Sequence, residues 1–197
     1  MTTLNSNNRW EEAWAEKGPR VPWALSAPEP ILMEYTRKAT IHRVLDLGCG
    51  HGIDARYLSM IGAQVDAIDI SSTAISLAKE YDKHTNYILN DFQTHAFSDK
   101  YDFIYDRGYL GPCHDKASCV SKVKSLLSDD GKWLSLIGRE DGDNSGPARY
   151  ILSEVIKWFE GDFNILEITA SSTLNNENSK KISLWKILAE KKYEHQY

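Results

Sequence analysis

Short apolar runs alternate with amphipathic segments from about residue 41 onward. The runs are rich in β-branched and aromatic residues and are typical of strands buried in a parallel sheet. They predict strands over residues 43–47, 64–69, 86–89, 101–105 and 132–137. Between the runs, apolar residues recur at helical spacing. This spacing predicts helices over residues 53–61, from a cap at Ser71 to about 81, 115–127 and 148–160.

The end of the chain follows a different pattern. Residues 164–169 and 182–189 are both β-rich, and only the polar turn 175–180 lies between them. So short a connection cannot form a parallel crossover, so these two strands are expected to pair antiparallel. A helix over 182–189 is the alternative. The fold class predicted is α/β: a doubly wound, Rossmann-like sheet of seven strands, mainly parallel, with one antiparallel strand near the C-terminus.

The first 40 residues lack this alternation. Trp10, Trp14 and Trp23, half of the chain's six tryptophans, lie there among prolines and charged residues. We expect a short helix followed by an irregular segment. Together they form an N-terminal arm, residues 1–40, that packs as a lid on a core formed by residues 41–197. A length of 197 residues fits a single domain.

Composition and charge exclude several classes of protein. The 42% of hydrophobic and 26% of charged residues are typical of a globular chain. Cys49, Cys113 and Cys119 are too few, and wrongly spaced, for a disulfide scaffold or a zinc site. No run approaches the ~18 apolar residues of a membrane span, and the N-terminus lacks an apolar signal core. We therefore expect a cytoplasmic protein without membrane contact, and the net charge of −5 disfavours nucleic acid as a partner.

A glycine-rich loop, Asp46-Leu47-Gly48-Cys49-Gly50-His51-Gly52, follows the first strand. Glycines let the backbone turn sharply, and a loop at the carboxyl end of such a strand marks the ligand crevice of the sheet. Asp69 ends the second strand, where an acid can accept hydrogen bonds from both hydroxyls of a ribose. The loop reads D-x-G-x-G-x-G and not G-x-G-x-x-G, so a nicotinamide-dependent oxidoreductase is disfavoured.

Residues 44–52, VLDLGCGHG, resemble the first motif of the class I S-adenosylmethionine-dependent methyltransferases. The resemblance implies that S-adenosylmethionine is the cofactor and S-adenosylhomocysteine the product. It also implies that Asp69 holds the ribose, that Asp91 meets the adenine amino group and that Phe92 lies against the adenine ring. Ile70 is a further expected contact to the cofactor. The loop residues expected beneath the methionine part of the cofactor are Asp46, Gly48, Cys49, Gly50 and Gly52.

Asp106-Arg107-Gly108, at the end of the fourth strand, narrows the resemblance to the thiopurine, thiol and halide methyltransferases. Trp10 and Trp14, followed by Trp23, resemble the N-terminal lid of that group, which implies that these rings contact the cofactor. Gly146-Pro147-Ala148-Arg149-Tyr150 resembles its G-P-P-x-Y segment, with alanine where the group has proline. This narrower resemblance covers nearly the whole chain.

The family places its reacting centre at the end of the fourth strand. The resemblance therefore makes Asp106 the candidate catalytic residue and, with Arg107, a candidate cofactor contact. Neither His51 nor His114 has an identifiable acid partner, so neither is expected to act as an essential base. The candidate acceptor contacts are Trp23, Tyr109, His114, Lys116 and Arg149.

Pro112-Cys113 resembles the Pro-Cys pair of the cytosine-C5 methyltransferases. The pair lies seven or eight residues beyond the predicted strand, on an acidic chain, so a buried or incidental cysteine is the favoured interpretation. The N/D-P-P-Y motif of the enzymes that methylate amino groups of nucleic acids is absent.

We therefore predict methyl transfer from S-adenosylmethionine to a small-molecule acceptor by in-line displacement, with the sulfur of a thiol or thiopurine-like compound favoured. Alignment of the acceptor with the methyl group supplies much of the acceleration, and a thiol ionises near neutral pH without a strong base. An O- or N-methyltransferase that tailors a small metabolite and a non-catalytic S-adenosylmethionine-binding protein are the alternatives. No metal is expected, and we expect a monomer.

Overall fold

The computed structural model describes residues 8–141, 149–174 and 181–193. In these ranges the chain forms one sheet of seven strands, which confirms the predicted α/β fold class. The strands are β1 (Arg43–Leu47), β2 (Gln64–Asp69), β3 (Asn86–Leu89), β4 (Tyr101–Arg107), β5 (Leu127–Gly138), β6 (Phe163–Leu174) and β7 (Lys181–Lys191). The helices are α1 (Asn8–Lys17), α2 (Pro30–Thr36), α3 (Ile53–Met60), α4 (Ser72–Tyr81), α5 (Lys116–Leu126) and α6 (Leu152–Phe159).

The strand order is β3-β2-β1-β4-β5-β7-β6. Strands β1 to β5 pair parallel, and β7 runs antiparallel between β5 and β6. The chain builds outward from β1 to β3 and then returns to place β4 on the other side of β1. The carboxyl ends of β1 and β4 therefore form the switch point, where sheets of this kind hold their ligands.

The central strands are apolar on both faces because helices cover both sides of the sheet. Val44 and Phe103 belong to one apolar layer, and their chain neighbours Leu45 and Ile104 belong to the layer on the opposite face. All four side chains are fully buried. This arrangement follows from the alternation of side chains along a strand, and it keeps the carboxyl ends of the strands in a fixed register.

The helices predicted after the first, second and fourth strands are confirmed as α3, α4 and α5. Ser71 caps α4 as predicted, and its Oγ accepts a hydrogen bond from the N–H of Ala74 at 3.1 Å. Asp115 caps α5 in the same way through the N–H of Ser118 at 2.9 Å. Both caps fix the helix ends that face the carboxyl edge of the sheet.

The predicted start of the fifth strand is wrong. The strand was predicted over residues 132–137, but β5 begins at Leu127 and includes Asp129-Asp130-Gly131. Extra residues are accommodated because the pairing of β4 with β5 shifts register between Tyr101 and Phe103. The helical alternative for residues 182–189 is also excluded, since β7 is a strand throughout.

Helix α2 lies in the segment that was expected to be an irregular arm. Pro30 occupies its first position, and the carboxylate of Glu29 accepts from the N–H of Ile31 at 3.3 Å. Ile31 and Leu32 are buried against the sheet. The sequence indicates this helix only through Pro30 at its first position and Glu29 at its N-cap. The helix was not predicted because the surrounding segment is rich in tryptophan and proline.

Some predictions concern parts of the chain outside the described residues. They are the segment Gly146-Pro147-Ala148, the helix entry at residue 148 and the turn 175–180. The described part of the helix that follows is α6, which begins at Leu152. Across the described ranges, every helix is too short or too polar to cross a lipid bilayer.

Candidate functional site

A cavity of about 360 Å³ lies at the carboxyl ends of β1, β2 and β4. This is the switch point of the sheet, and the volume is within the range of small-molecule sites. The glycine loop, the ends of β2 and β3, the loop after β4 and the N-terminal arm all contribute side chains to its lining. The cavity therefore brings together segments that are distant in the sequence.

The glycine loop forms one wall of the cavity through Gly48, Cys49 and Gly50. The N–H groups of Gly48 and Cys49 donate to the carbonyl of Ile68 at 2.8 and 3.1 Å, which anchors the loop to β2. Gly50 has φ +53°, and a Cβ there would lie 2.9 Å from Cζ2 of Trp14. A side chain at this position would therefore displace the tryptophan above it.

Gly52 was expected to contact the cofactor, but it lies outside the cavity lining formed by the described residues. It is the N-cap of α3 with φ +76°, and a Cβ would lie 2.5 Å from Oη of Tyr87 and 2.8 Å from Cβ of Ala78. The third glycine of the loop is thus required for close packing of α3 against its neighbours.

Asp69 lines the cavity, and each of its two carboxylate oxygens accepts a hydrogen bond from a backbone N–H group. Its Oδ2 accepts from the N–H of Gly50 and its Oδ1 from the N–H of Ser71, both at 2.8 Å. Burial raises the pKa of Asp69, and these two hydrogen bonds act against that rise. A carboxylate has about four acceptor positions, so Asp69 keeps acceptor capacity for a ligand in the cavity.

Ile70, Asp91 and Phe92 also line the cavity. Phe92 is buried, and its ring meets the ring of Tyr109 edge-on at 5.5 Å. The Oδ1 atom of Asp91 accepts from the N–H of Gln93 at 2.9 Å. These contacts fix the turn after β3 so that an apolar ring and a carboxylate lie side by side.

Three tryptophans of the arm cover the cavity: Trp10, Trp14 and Trp23 all line it. Trp23 meets Trp10 edge-on at 5.2 Å and Trp14 at 6.5 Å between ring centroids. Trp14 also lies 5.6 Å from the ring of His51, which lines the cavity too. The aromatic faces offer a favourable environment for a cation inside the cavity.

Glu11 attaches the arm to the N-terminus of α4. Its carboxylate accepts from Oγ of Ser71 at 2.7 Å, Oγ1 of Thr73 at 2.6 Å, Oγ of Ser72 at 3.1 Å and the N–H of Thr73 at 3.2 Å. The hydrogen bond from the Thr73 side chain is the largest cause that lowers the pKa of Glu11 to about 2. The attachment is therefore intact at neutral pH and is lost only as the pH falls toward 2.

We expect the substitution Glu11→Gln to weaken the binding of S-adenosylhomocysteine about tenfold, because α1 carries Trp10 and Trp14. The amide loses the charge and one of the acceptor oxygens that meet α4. Calorimetric titration measures the change. The matched control is Glu12→Gln, since Glu12 is exposed on the same helix. Equal affinities for the two variants would contradict the role of Glu11.

Asp106 lies beneath the cavity and is fully buried. Its Oδ1 accepts from the N–H groups of Tyr109 and Leu110 at 3.1 and 3.2 Å, and its Oδ2 accepts from Nε1 of Trp133 at 3.2 Å. Burial raises the pKa of Asp106 to about 6, against the effect of these hydrogen bonds. The position of Asp106 does not support the predicted catalytic role. Its carboxylate instead stabilises the conformation of the loop after β4.

Arg107 lines the cavity, but its polar atoms are directed into the protein. Its Nε lies 3.3 Å from Oδ2 of Asp54, and Nη1 donates to the carbonyl of Trp23 at 2.9 Å. Asp46, another expected cofactor contact, is buried near this pair. It does not belong to the described residues that line the cavity. Burial is the largest cause that raises the pKa of Asp46, and Asp54 raises it further. The guanidinium thus connects a buried acidic group to the arm.

Of the five candidate acceptor contacts, Trp23, Tyr109 and His114 line the cavity. Lys116 and Arg149 lie outside the lining that the described residues form. The ammonium of Lys116 donates to the carbonyl of Cys113 at 2.8 Å and lies over the rings of Tyr150 and Trp158. Lys116, which was predicted as a basic contact to the acceptor, therefore stabilises the loop before α5 instead.

Sequence reasoning missed several residues at the site. Glu11 and Arg9 lie in the arm, and Gln93 and Asp115 line the cavity beside Cys113. Each is a polar residue in a segment without regular periodicity, so only its three-dimensional neighbours reveal it. The tryptophan spacing in the arm was the one signal that drew attention to that segment.

Comparison with known sequences shows a methyltransferase relationship. The sequence model of a family described as a methyltransferase domain matches residues 9–160. A probable thiol methyltransferase 2 of Arabidopsis thaliana is 26% identical over 203 aligned positions, which cover 94% of this chain and 88% of that protein. A ubiquinone biosynthesis O-methyltransferase of Xanthomonas euvesicatoria pv. vesicatoria (strain 85-10) is 30% identical over 159 positions. These cover 75% of this chain and 62% of that protein.

Solved structures share the fold. A SAM-dependent methyltransferase from Anabaena variabilis superposes with a TM-score of 0.79 at 15% identity, covering 96% of each chain. The N-methyltransferase NodS from Bradyrhizobium japonicum, in complex with S-adenosyl-L-homocysteine, superposes with a TM-score of 0.75 at 14% identity. It covers 96% of this chain and 100% of that one.

Proposed function

Because the chain belongs to the methyltransferase-domain family, we propose that it transfers a methyl group from S-adenosylmethionine to the sulfur atom of a small thiol. Membership of this family makes the chain an enzyme, and it confirms the methyltransferase resemblance of the glycine loop. S-adenosylmethionine is its methyl donor. The choice of sulfur as the acceptor atom is the proposal.

The residues that line the cavity fit this cofactor. S-adenosylmethionine supplies an electrophilic methyl group on a sulfonium cation. We propose that Asp69 accepts hydrogen bonds from the ribose hydroxyls with the acceptor capacity that its backbone contacts leave. Gly48 and Gly50 line the cavity beside Asp69, and the tryptophans of the arm present aromatic faces to a cation.

The chain contributes mainly by holding and enclosing its ligands. Trp14 is 3% exposed, so the arm already covers the cavity next to the glycine loop. We propose that the arm acts as a lid that excludes water while the acceptor is held in line with the methyl group. Alignment of this kind supplies a large part of the acceleration of a displacement with a good leaving group.

The observation that favours sulfur is that the cavity offers no histidine paired with an acid. Trp23, Tyr109 and His114 line the cavity, and among the described residues neither His51 nor His114 is hydrogen-bonded to a carboxylate. The Nε2 of His51 is instead 3.1 Å from the carbonyl of Leu25, and burial lowers its pKa. A thiol ionises near neutral pH without such a base. The relationship to a probable thiol methyltransferase over 94% of the chain supports the same acceptor.

An oxygen acceptor is the second candidate. The relative that favours it is a ubiquinone biosynthesis O-methyltransferase, which is 30% identical over 75% of this chain. The chain spans 62% of that protein, so the match omits more than a third of it. A phenolic or alcoholic acceptor would require a base at the acceptor end, for which His114 is the available group.

Three acceptors with one skeleton separate the candidates: thiophenol, phenol and aniline. We expect kcat/KM for the thiol to exceed the values for the phenol and the amine by at least about 100-fold, measured as S-adenosylhomocysteine formed. A second thiol, which is aliphatic and has a higher pKa than thiophenol, serves as the control. Its rate should rise with pH around its own ionisation, because the thiolate comes from the acceptor itself. Faster methylation of phenol or aniline would contradict the sulfur proposal.

The remaining expectations stay predictions: a monomer, a cytoplasmic location and the absence of a nucleic-acid partner.

A further inference from the structure

Lys122, in the middle of α5, joins that helix to the turn after β3, residues 90–95. Its ammonium donates to the carbonyl of Gln93 at 3.0 Å and to the carbonyl of His95 at 2.7 Å. The buried face of α5 belongs to an apolar cluster of the core, so the helix is a fixed support. The two hydrogen bonds therefore hold the turn against an element whose position the core determines.

The same ammonium lies over two aromatic rings. It is 5.1 Å from the ring centroid of Phe92 and 5.6 Å from that of Phe97. A cation within about 6 Å of a ring centroid is attracted to the electrons of the ring. The centroids of the two rings are 5.8 Å apart, so both rings share one cation. Phe92, which is buried and lines the cavity, is thus held by the ammonium as well as by its edge-on contact with Tyr109.

The charge of the ammonium also acts on Asp91, the residue before Phe92. Burial is the largest cause that lowers the pKa of Lys122, and the negative charge of Asp91 opposes this effect. The two opposite charges therefore attract each other. The one ammonium meets three consecutive residues of the turn, through the charge of Asp91, the ring of Phe92 and the carbonyl of Gln93.

Asp91, Phe92 and Gln93 all line the cavity, whereas Lys122 does not belong to the described residues that line it. The resemblance to the class I methyltransferases implies that Asp91 meets the amino group of the adenine and that Phe92 lies against its ring. A hydrogen bond weakens steeply when its geometry departs from alignment, so a carboxylate recognises an amino group only from a defined position. The element that fixes the turn therefore influences how well adenine is distinguished from other bases.

We propose that Lys122 is a positioning residue for recognition of the adenine amino group of the cofactor. It acts through Asp91 and Phe92 rather than by direct contact with the cofactor. The inference rests on the proposed function for the identity of the cofactor and on the implied placement of its adenine at Asp91 and Phe92. It is independent of whether the acceptor atom is sulfur or oxygen.

Calorimetric titration of the full-length chain with two ligands tests this role. The ligands are S-adenosylhomocysteine and S-inosylhomocysteine, in which a carbonyl oxygen replaces the amino group of the base. We expect the wild-type chain to bind the adenine ligand at least about 30-fold more tightly, because the carbonyl oxygen cannot donate to Asp91. Lys122→Met should bind that ligand about tenfold more weakly than the wild-type chain does, and its preference for adenine should fall to about threefold.

Two further variants and a kinetic measurement separate positioning from general stability. Lys122→Arg should retain most of the preference, since a guanidinium also donates to carbonyls and lies over aromatic rings. Lys122→Gln, which keeps a donor but no charge, is a second disruptive variant and should lose the preference as Lys122→Met does. In both disruptive variants KM for S-adenosylmethionine should rise about tenfold, while kcat changes by less than about twofold. Circular dichroism verifies that each variant is folded.

Lys124→Met is the matched control. Lys124 lies on the same helix but pairs with Asp162 at 2.9 Å, and neither residue belongs to the described lining of the cavity. This variant should bind both ligands as the wild-type chain does. The inference is overturned if the disruptive variants keep the wild-type preference for adenine, or if they lose affinity for both ligands by the same factor. A wild-type chain without preference between the ligands would overturn it too, whereas failure of the wild-type chain to bind S-adenosylhomocysteine would overturn the proposed function with it.

Discussion

Asp69→Ala is expected to weaken the binding of S-adenosylhomocysteine by about 100-fold or more while the chain stays folded. The variant removes the anionic acceptor that we propose for the two ribose hydroxyls. Hydrogen bonds to a charged group contribute about 1.5–3 kcal/mol each, so two of them account for about 3 kcal/mol or more. Each 1.4 kcal/mol corresponds to a factor of ten in Kd, and calorimetric titration measures the difference directly.

The same variant also removes the acceptor for the N–H groups of Gly50 and Ser71, so a second comparison isolates the ribose contact. The wild-type chain should lose affinity when one ribose hydroxyl of the ligand is replaced by hydrogen, whereas Asp69→Ala should lose little more. Asp130→Ala is the control for removal of an exposed carboxylate. An equal penalty for the deoxy ligand in both chains would show that the ribose lies elsewhere.

Arg107→Met is expected to lower the free energy of unfolding by about 3–5 kcal/mol. Methionine preserves much of the volume but leaves Asp54 without its cation. Glu29 is fully buried nearby, and its pKa is raised by burial, so the guanidinium is the charge that compensates this acidic group. The change also removes the bond from Arg107 to the carbonyl of Trp23. Urea unfolding followed by circular dichroism measures the loss.

Lys38→Met provides the comparison. Lys38 pairs with Glu34 at 2.7 Å on the surface of the protein, where solvent screens the charges, so no measurable change is expected. Adding Asp54→Asn to Arg107→Met should recover part of the lost stability, because the uncompensated carboxylate is then neutral. A loss of stability in Arg107→Met no larger than in Lys38→Met would contradict the proposed compensation of charge.

The parts of the site that could be predicted are those encoded in a short stretch of chain. Gly48, Gly50 and Asp69 follow the ends of two recognisable strands, and strands of a parallel sheet bring their carboxyl ends to one edge. The sheet itself was predictable for the same reason, because apolar runs of five or six residues predict buried strands directly. The antiparallel β7 followed from the short connection that precedes it.

The parts that could not be predicted depend on partners far away in sequence. Glu11 meets Ser71 across 60 residues, and nothing in either local pattern indicates the other. Asp106 lies at the end of a strand as a catalytic residue would, yet its carboxylate accepts hydrogen bonds from Nε1 of Trp133 and from the amides of the loop after β4. Arg107 was predicted as a cofactor contact, and its ion-pair partner Asp54 lies 53 residues away in the sequence. Burial and pairing of polar groups are properties of the assembled fold.

The segment that follows β2 couples two equilibria, the binding of the cofactor and the attachment of the arm. Ser71 donates its N–H to Asp69, at the cavity, and its hydroxyl to Glu11, in the arm. Any free energy shared between cofactor binding and attachment of the arm is reciprocal, because linkage between two binding equilibria acts equally in both directions. The factor by which the attached arm tightens cofactor binding is therefore the factor by which bound cofactor stabilises the attached arm.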